Sequence, residues 1–105
     1  MTRLSEHKLD QAMLKMNGWH RRDHQIVKTY RARTHTDAVR LAGLLASELD
    51  PPSHEPSVGI RTEGASVQVD LHTPAEGGVT DADIELARRL DVVGGPKDAL
   101  SPFAG

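Results

Sequence analysis

Val67-Gln68-Val69-Asp70-Leu71-His72-Thr73-Pro74-Ala75-Glu76-Gly77-Gly78-Val79-Thr80-Asp81-Ala82-Asp83 is the stretch whose reading decides the fold. Val67, Val69 and Leu71 alternate with Gln68, Asp70 and His72, the period of a strand with one buried face. The alternation breaks at Thr73-Pro74 and the chain turns through Glu76-Gly77-Gly78. Thr80, with Asp83 three residues on, then opens the apolar series Ile84, Leu86, Ala87, Leu90: a capping-box signal leading into a helix. Ser53-His54-Glu55-Pro56 precedes the strand expected to pair with this one. A hairpin between the two strands brings His54 and Glu55 near the turn that leads to Asp83, so one imidazole and two carboxylates share a small region.

Composition narrows the classes around that core. At 105 residues the chain makes one domain, here residues 1–96 with a flexible tail over 97–105. Its core is modest, so association with another copy helps stability. The net charge is −2, which supplies no basic field for nucleic acid or an anionic membrane. The chain has no cysteine, which removes disulfides and thiolate–metal sites. No apolar run approaches a membrane span and the first fifteen residues hold no signal-like apolar segment, so a cytoplasmic domain is expected. Trp19, Tyr30 and Phe103 are the only aromatics, leaving the core to Leu, Val, Ile, Ala and Met.

Outward from the central stretch, Ser5 caps a helix running to about Met16, with Leu9, Met13 and Met16 at helical spacing and Asn17-Gly18 closing it. Trp19–Arg22 and Gln25–Arg33 read as strands around an Asp23-His24 turn. The second carries Ile26, Lys28, Tyr30 and Ala32 on one face, where the lysine fits poorly. Thr36, followed at once by Asp37, is expected to cap a second helix with Ala38, Val39, Leu41, Ala42, Leu45, Ala46 and Leu49 on its apolar side, ended by Asp50-Pro51-Pro52. Val58 and Ile60 mark the third strand, and Glu63-Gly64-Ala65 turns it into the fourth. The last helix spans about Asp81–Val92 and stops at Gly94-Gly95-Pro96. The order is α-β-β-α-β-β-α, which predicts an α+β two-layer sandwich with four antiparallel strands and three helices on one face.

The order of elements, the Gly18-Trp19 pair, the His-x-Pro of residues 54–56 and Val-x-Val-x-Leu-x-Thr…Gly-Gly-Val-Thr-x-x-Asp over 67–83 together resemble the pterin-4a-carbinolamine dehydratases. The resemblance covers roughly Leu9 to Val93. It implies a four-stranded sheet backed by three helices, assembly as a homodimer or homotetramer, and dehydration of a 4a-hydroxytetrahydropterin to a quinonoid dihydropterin with no metal and no cofactor. It places His54, Glu55 and Asp83 in the catalytic role, and Pro56, Thr73 and Trp19 against the pterin ligand. It also implies an alternative, because some relatives serve protein clients and one branch assists rubisco assembly without the dehydratase residues.

The chain departs from the family's pattern in ways that bear on chemistry. Active members carry His-His-Pro where this chain has His54-Glu55-Pro56, a further histidine where it has Pro74, and asparagine where it has Ser53. Loss of water from a carbinolamine needs an acid for the departing hydroxyl and a base for a ring N–H, and imidazoles suit both. Glu55 can replace one only if burial and the neighbouring charge of Asp83 raise its pKa. Pro74 moves no proton. Turnover of the ordinary pterin is therefore expected to be severely reduced or absent.

Plainer roles stand beside these. Asp83 serves the amides and dipole of its own helix, His54 is a loop histidine and Glu55 a surface charge. Gly77-Gly78 answers turn geometry, with no phosphate-loop pattern. His20, His24 and His35 lack ligand spacing, and no metal site is expected. His72 lies opposite Val69 and Leu71, facing the outer sheet surface or another subunit, and reaches the site only through a local bulge.

Overall fold

Tight turns set the pairing of the strands, and the strands set where the helices lie. The computed structural model describes residues 2–49 and 56–95. Within them β1 (Trp19–Arg22), β2 (Gln25–Arg31), β3 (Ser57–Glu63) and β4 (Ser66–His72) alternate with α1 (Glu6–Met13), α2 (His35–Ser47) and α3 (Asp81–Gly94) in the expected order α-β-β-α-β-β-α. All pairings are antiparallel and the spatial order is β1-β2-β4-β3. Asp23 with φ of 56° and Gly64 with φ of 57° occupy the two-residue hairpin turns, where a left-handed first position matches the twist of the strands. The α2 crossover carries the chain from β2 past β4, so β4 becomes an inner strand paired on both sides.

The helices cover one face, and the core lies between. Ile26, Tyr30, Val67, Val69 and Leu71 point inward from the sheet, against Ala38, Leu41 and Leu45 of α2 and Ile84, Ala87 and Leu90 of α3. Each such side chain, when fully buried, contributes roughly 1.5–3 kcal/mol. The opposite sheet face is polar, with Arg61 donating to Gln68 across β3 and β4 at 3.2 Å.

β2 ends at Arg31 rather than Arg33, and three further boundaries differ from expectation, each for a local reason. α1 ends at Met13 rather than Met16, because the chain tightens to bonds from Lys15 N to Ala12 O and Met16 N to Met13 O, both 3.1 Å. Such i→i+3 bonds are common where a helix ends, and here they still bring Met16 into the core. The cap of α2 is Thr34, not Thr36: its hydroxyl accepts from Asp37 N at 3.1 Å. A cap is the extended residue just before the helix, with a donor two or three residues on; Thr34 has that backbone (φ −133°, ψ 166°), whereas Thr36 already lies within α2. α3 continues through Gly94, where an added Cβ would land 3.0 Å or less from three carbons of the Tyr30 ring. The expected proline stop of α2 at 50–52 and the tail over 97–105 lie outside the described residues.

Lys28, awkward in sequence, is resolved by a partner 63 residues away. Its Nζ is fully buried and donates to Asp91 Oδ1 at 2.6 Å. The same oxygen accepts from Tyr30 OH at 2.7 Å, and Trp19 Nε1 lies 3.1–3.2 Å from both carboxylate oxygens. The ammonium also sits 4.8 Å from the Tyr30 ring centroid, within cation–π range. Burial, with the anionic partner beside it, pushes the Tyr30 phenol well above its ordinary range. A buried cation survives only with such compensation, and Asp91 supplies it from α3 to β1 and β2 together.

Candidate active site

β4 delivers Thr73 to the start of α3, and the short link between them is held closed at both ends. Thr73 bridges to Gly78, with Thr73 N donating to Gly78 O at 2.7 Å. Pro74–Glu76 form one 3₁₀ turn that begins with proline and ends at Gly77, whose φ of 71° suits glycine; this is the proline-first, glycine-last asymmetry of helical turns. Arg3 lies across Gly78, where a Cβ would collide with its side chain, and Leu4 N donates to Val79 O at 2.8 Å. The glycine pair is thus explained by the turn and by the N-terminal segment packed over it.

Asp83 is the centre of what this link builds. As expected, Thr80 is the N-cap of α3, and its N–H donates to Asp83 Oδ2 at 2.8 Å. Thr73 Oγ1 donates to the same oxygen at 2.7 Å. Its single proton is then committed, so the Thr80 hydroxyl is the donor shared between Thr73 Oγ1 at 3.0 Å and Asp83 Oδ2 at 3.3 Å. Thr73, Thr80 and Asp83 are all buried, with Asp83 at 0% exposure. Oδ2 is fully engaged, while Oδ1 has no hydrogen-bond partner.

Burial dominates the electrostatics of this carboxyl. Loss of water raises the Asp83 pKa, against the Thr80 N–H, the two hydroxyls and the charge of His72, which pull it down. With Oδ2 receiving two short bonds, the neutral form carries its proton on Oδ1. The result is a carboxylic acid biased toward protonation, with its O–H on the buried oxygen that has no hydrogen-bond partner. Enclosed acids of this kind can act as proton donors.

The expected site residues divide between this place and others. Asp83 and Thr73 meet directly. Pro56, half-buried, stands just before Ser57, which pairs with His72 at the same sheet end. His54 and Glu55 lie outside the described residues. Trp19 goes elsewhere: its indole N–H binds Asp91, eight residues along α3 and about 12 Å from Asp83 by helical rise. The sheet pairing runs in regular register through His72 with no bulge. Yet His72 Nδ1 is buried without a hydrogen-bond partner, and the ring's charge reaches Asp83. Among the described residues, no three His, Asp or Glu side chains gather in a group that could hold a metal ion, and no helix is long and apolar enough to cross a membrane.

With this geometry described, similarity to known proteins becomes informative. Residues 2–93 match the family model described as pterin 4 alpha carbinolamine dehydratase. The chain belongs to that family. A protein of Mycolicibacterium vanbaalenii, provisionally named pterin-4-alpha-carbinolamine dehydratase, is 30% identical over 91 residues, which cover 87% of this chain and 96% of the relative. A Sulfurisphaera tokodaii protein with the same provisional name is 32% identical over 91 residues at the same coverage. The crystal structure of a transcriptional coactivator/pterin dehydratase from Brucella melitensis superposes with a TM-score of 0.78, over 90% of this chain and 100% of that one. At 24% identity, that likeness bears on the fold.

Proposed function

We propose that this protein dehydrates a 4a-hydroxytetrahydropterin, or a closely related heterocycle, at the end of β4, with Asp83 as the general acid. The observation that carries the reading is the Asp83 carboxyl: buried, raised in pKa, and bonded on Oδ2 only. In the reaction Asp83 Oδ1–H gives its proton to the 4a-hydroxyl and the C4a–O bond breaks, releasing water. The N5–H proton leaves to a base and the N5=C4a double bond forms. Neither a metal nor a cofactor enters this scheme. Thr73 and Pro56 border the pterin ligand, and His54 and Glu55 are assigned beside it from their place just before β3. The names of the relatives support this reading over a non-catalytic assembly factor serving a protein client, such as a rubisco-assembly chaperone.

Pro74 stands where the family's active members place a histidine, so the proposed enzyme works with fewer imidazoles and turns over slowly. We place it in the cytoplasm, as a homodimer or homotetramer. Val39 and Leu44, apolar and exposed on α2, support self-association. The test is direct: purified protein is mixed with freshly generated 4a-hydroxytetrahydropterin and the quinonoid product is followed against the uncatalysed rate. Turnover above background and below that of a family member with both histidines supports the reading. A rate equal to background overturns it.

A further inference from the structure

A carboxylate with three buried donors aimed at it admits one placement of the helix that carries it, and Asp91 is in that position on α3. It accepts from Lys28 Nζ at 2.6 Å, Tyr30 OH at 2.7 Å and Trp19 Nε1 at 3.1–3.2 Å. These donors come from β1 and β2, and all three residues are buried. The apolar side of α3 is less selective. With the helix advanced by three residues, the places of Ile84, Ala87 and Leu90 are taken by Ala87, Leu90 and Val93, again all apolar. The places of Asp83 and Asp91 then pass to Leu86 and Gly94, which offer no side-chain acceptor. A buried ion pair adds little net stability over apolar side chains of equal volume, and its best-attested use is to select one arrangement among several.

We infer that Asp91 is a positioning residue of the active site: by locking α3 onto β1 and β2, it sets where Asp83 stands against Thr73. The inference rests on the dehydratase reading above for its kinetic readout. Two carboxylates fasten one helix to the sheet at two points. Asp83 takes the Thr73 hydroxyl at 2.7 Å, where β4 has just ended. Asp91 lies eight residues on, about 12 Å along the helix axis. A single point would leave the helix free to turn and tilt about it, and the second removes that freedom. Tyr30 reinforces the second point, because its ring lies against Gly94 while its hydroxyl reaches Asp91. The backbone hydrogen bonds of the helix carry a displacement at Asp91 through to Asp83. Misplacing a reacting group by about 1 Å can cost ~10² in rate.

The experiment compares wild type, Asp91→Leu and the double variant Lys28→Met/Asp91→Asn in the dehydration assay and by carboxyl NMR of Asp83. Circular dichroism and urea unfolding follow the fold. Asp91→Leu removes the acceptor, whereas the double variant removes both charges and keeps an oxygen for Tyr30 and Trp19. The expected result for Asp91→Leu is a fall in kcat of ~10-fold or more in a folded protein. Its Asp83 titration moves toward that of Thr73→Val, which lacks the Thr73 hydroxyl. The double variant recovers most of both. Where Asp91→Leu does not fold, Tyr30→Phe, which drops one donor and keeps the ring, shows the same changes on a smaller scale. A lowered urea midpoint with wild-type kcat and wild-type Asp83 titration overturns the inference, because the cluster then serves stability alone. Background turnover in the wild type overturns the dehydratase reading. The Asp83 titration then decides the positioning by itself: a shift supports it and an unchanged curve overturns it.

Discussion

Thr73 Oγ1 donates to Asp83 Oδ2 across 2.7 Å, joining the last bridge of the sheet to the first turn of α3. Through that bond the local order of strand, turn and helix becomes a site. The turn sets where Thr73 points, the cap sets which oxygen of Asp83 is occupied, and burial sets its protonation. Removing the hydroxyl while keeping the shape isolates this link. Thr73→Val is expected to lose roughly 1–3 kcal/mol, the cost of unpairing a buried polar group, in urea unfolding. The Asp83 carboxyl should at the same time titrate at higher pH by carboxyl NMR, since the hydroxyl now pulls it down.

The raised pKa of Asp83 has a signed consequence for stability. In the interval between its ordinary value and its raised folded value, the folded state holds more protons than the unfolded one. Stability from this group is therefore full below the ordinary carboxylate value and falls as pH rises through the folded value. Comparing wild type with Asp83→Asn by urea unfolding across the acid range should show this component in the wild type and its disappearance in the variant. A wild-type component of the opposite sign would contradict the burial argument.

Lys28 and Asp91 make a separate prediction, because truncating one partner of a buried pair leaves the rest uncompensated. Lys28→Ala should cost roughly 3–5 kcal/mol, toward the lower end because Asp91 is partly exposed and keeps Tyr30 and Trp19. Lys28→Met, which refills the volume, should cost clearly less. Equal losses in the two variants would mean that the lost charge, which both share, decides the site and that the lost packing adds nothing.

Gly94 tests the fit of α3 on β2. Gly94→Ala ordinarily favours a helix, but here the methyl meets the Tyr30 ring. The expected outcome is a destabilisation of about 1–3 kcal/mol, as for other overpacked cores. Combining it with Tyr30→Ala, which removes the ring, should relieve most of the Gly94→Ala increment in a double-mutant cycle.

Much of this was legible in the chain, and the parts that were not share a cause. Val67–Leu71 and Thr80–Leu90 declare themselves through period and capping, which act over a few residues. The meeting of Thr73 with Asp83 follows once those elements are joined by a closed turn. Asp91 carried no such signal. It looks like any polar residue on a helix, and only the fold brings it to Lys28, 63 residues away, and to Trp19, 72 residues away. Trp19 was expected against the pterin because it belongs to the recognisable pattern, and the pattern does not say which carboxylate its N–H will meet. His72 was set aside on strand alternation, correctly as to register. Alternation says nothing about whether a ring nitrogen at a strand end will find a partner.

The central claim is that Asp83 handles a proton in dehydration, and its most direct test is the turnover of Asp83→Asn. The variant keeps the size of the side chain and an oxygen for the Thr73 and Thr80 donors, but cannot give up a proton as a carboxylic acid does. A fall in kcat of ~10² or more with the helical signal intact is the predicted result. Turnover equal to wild type in a folded Asp83→Asn protein would contradict it.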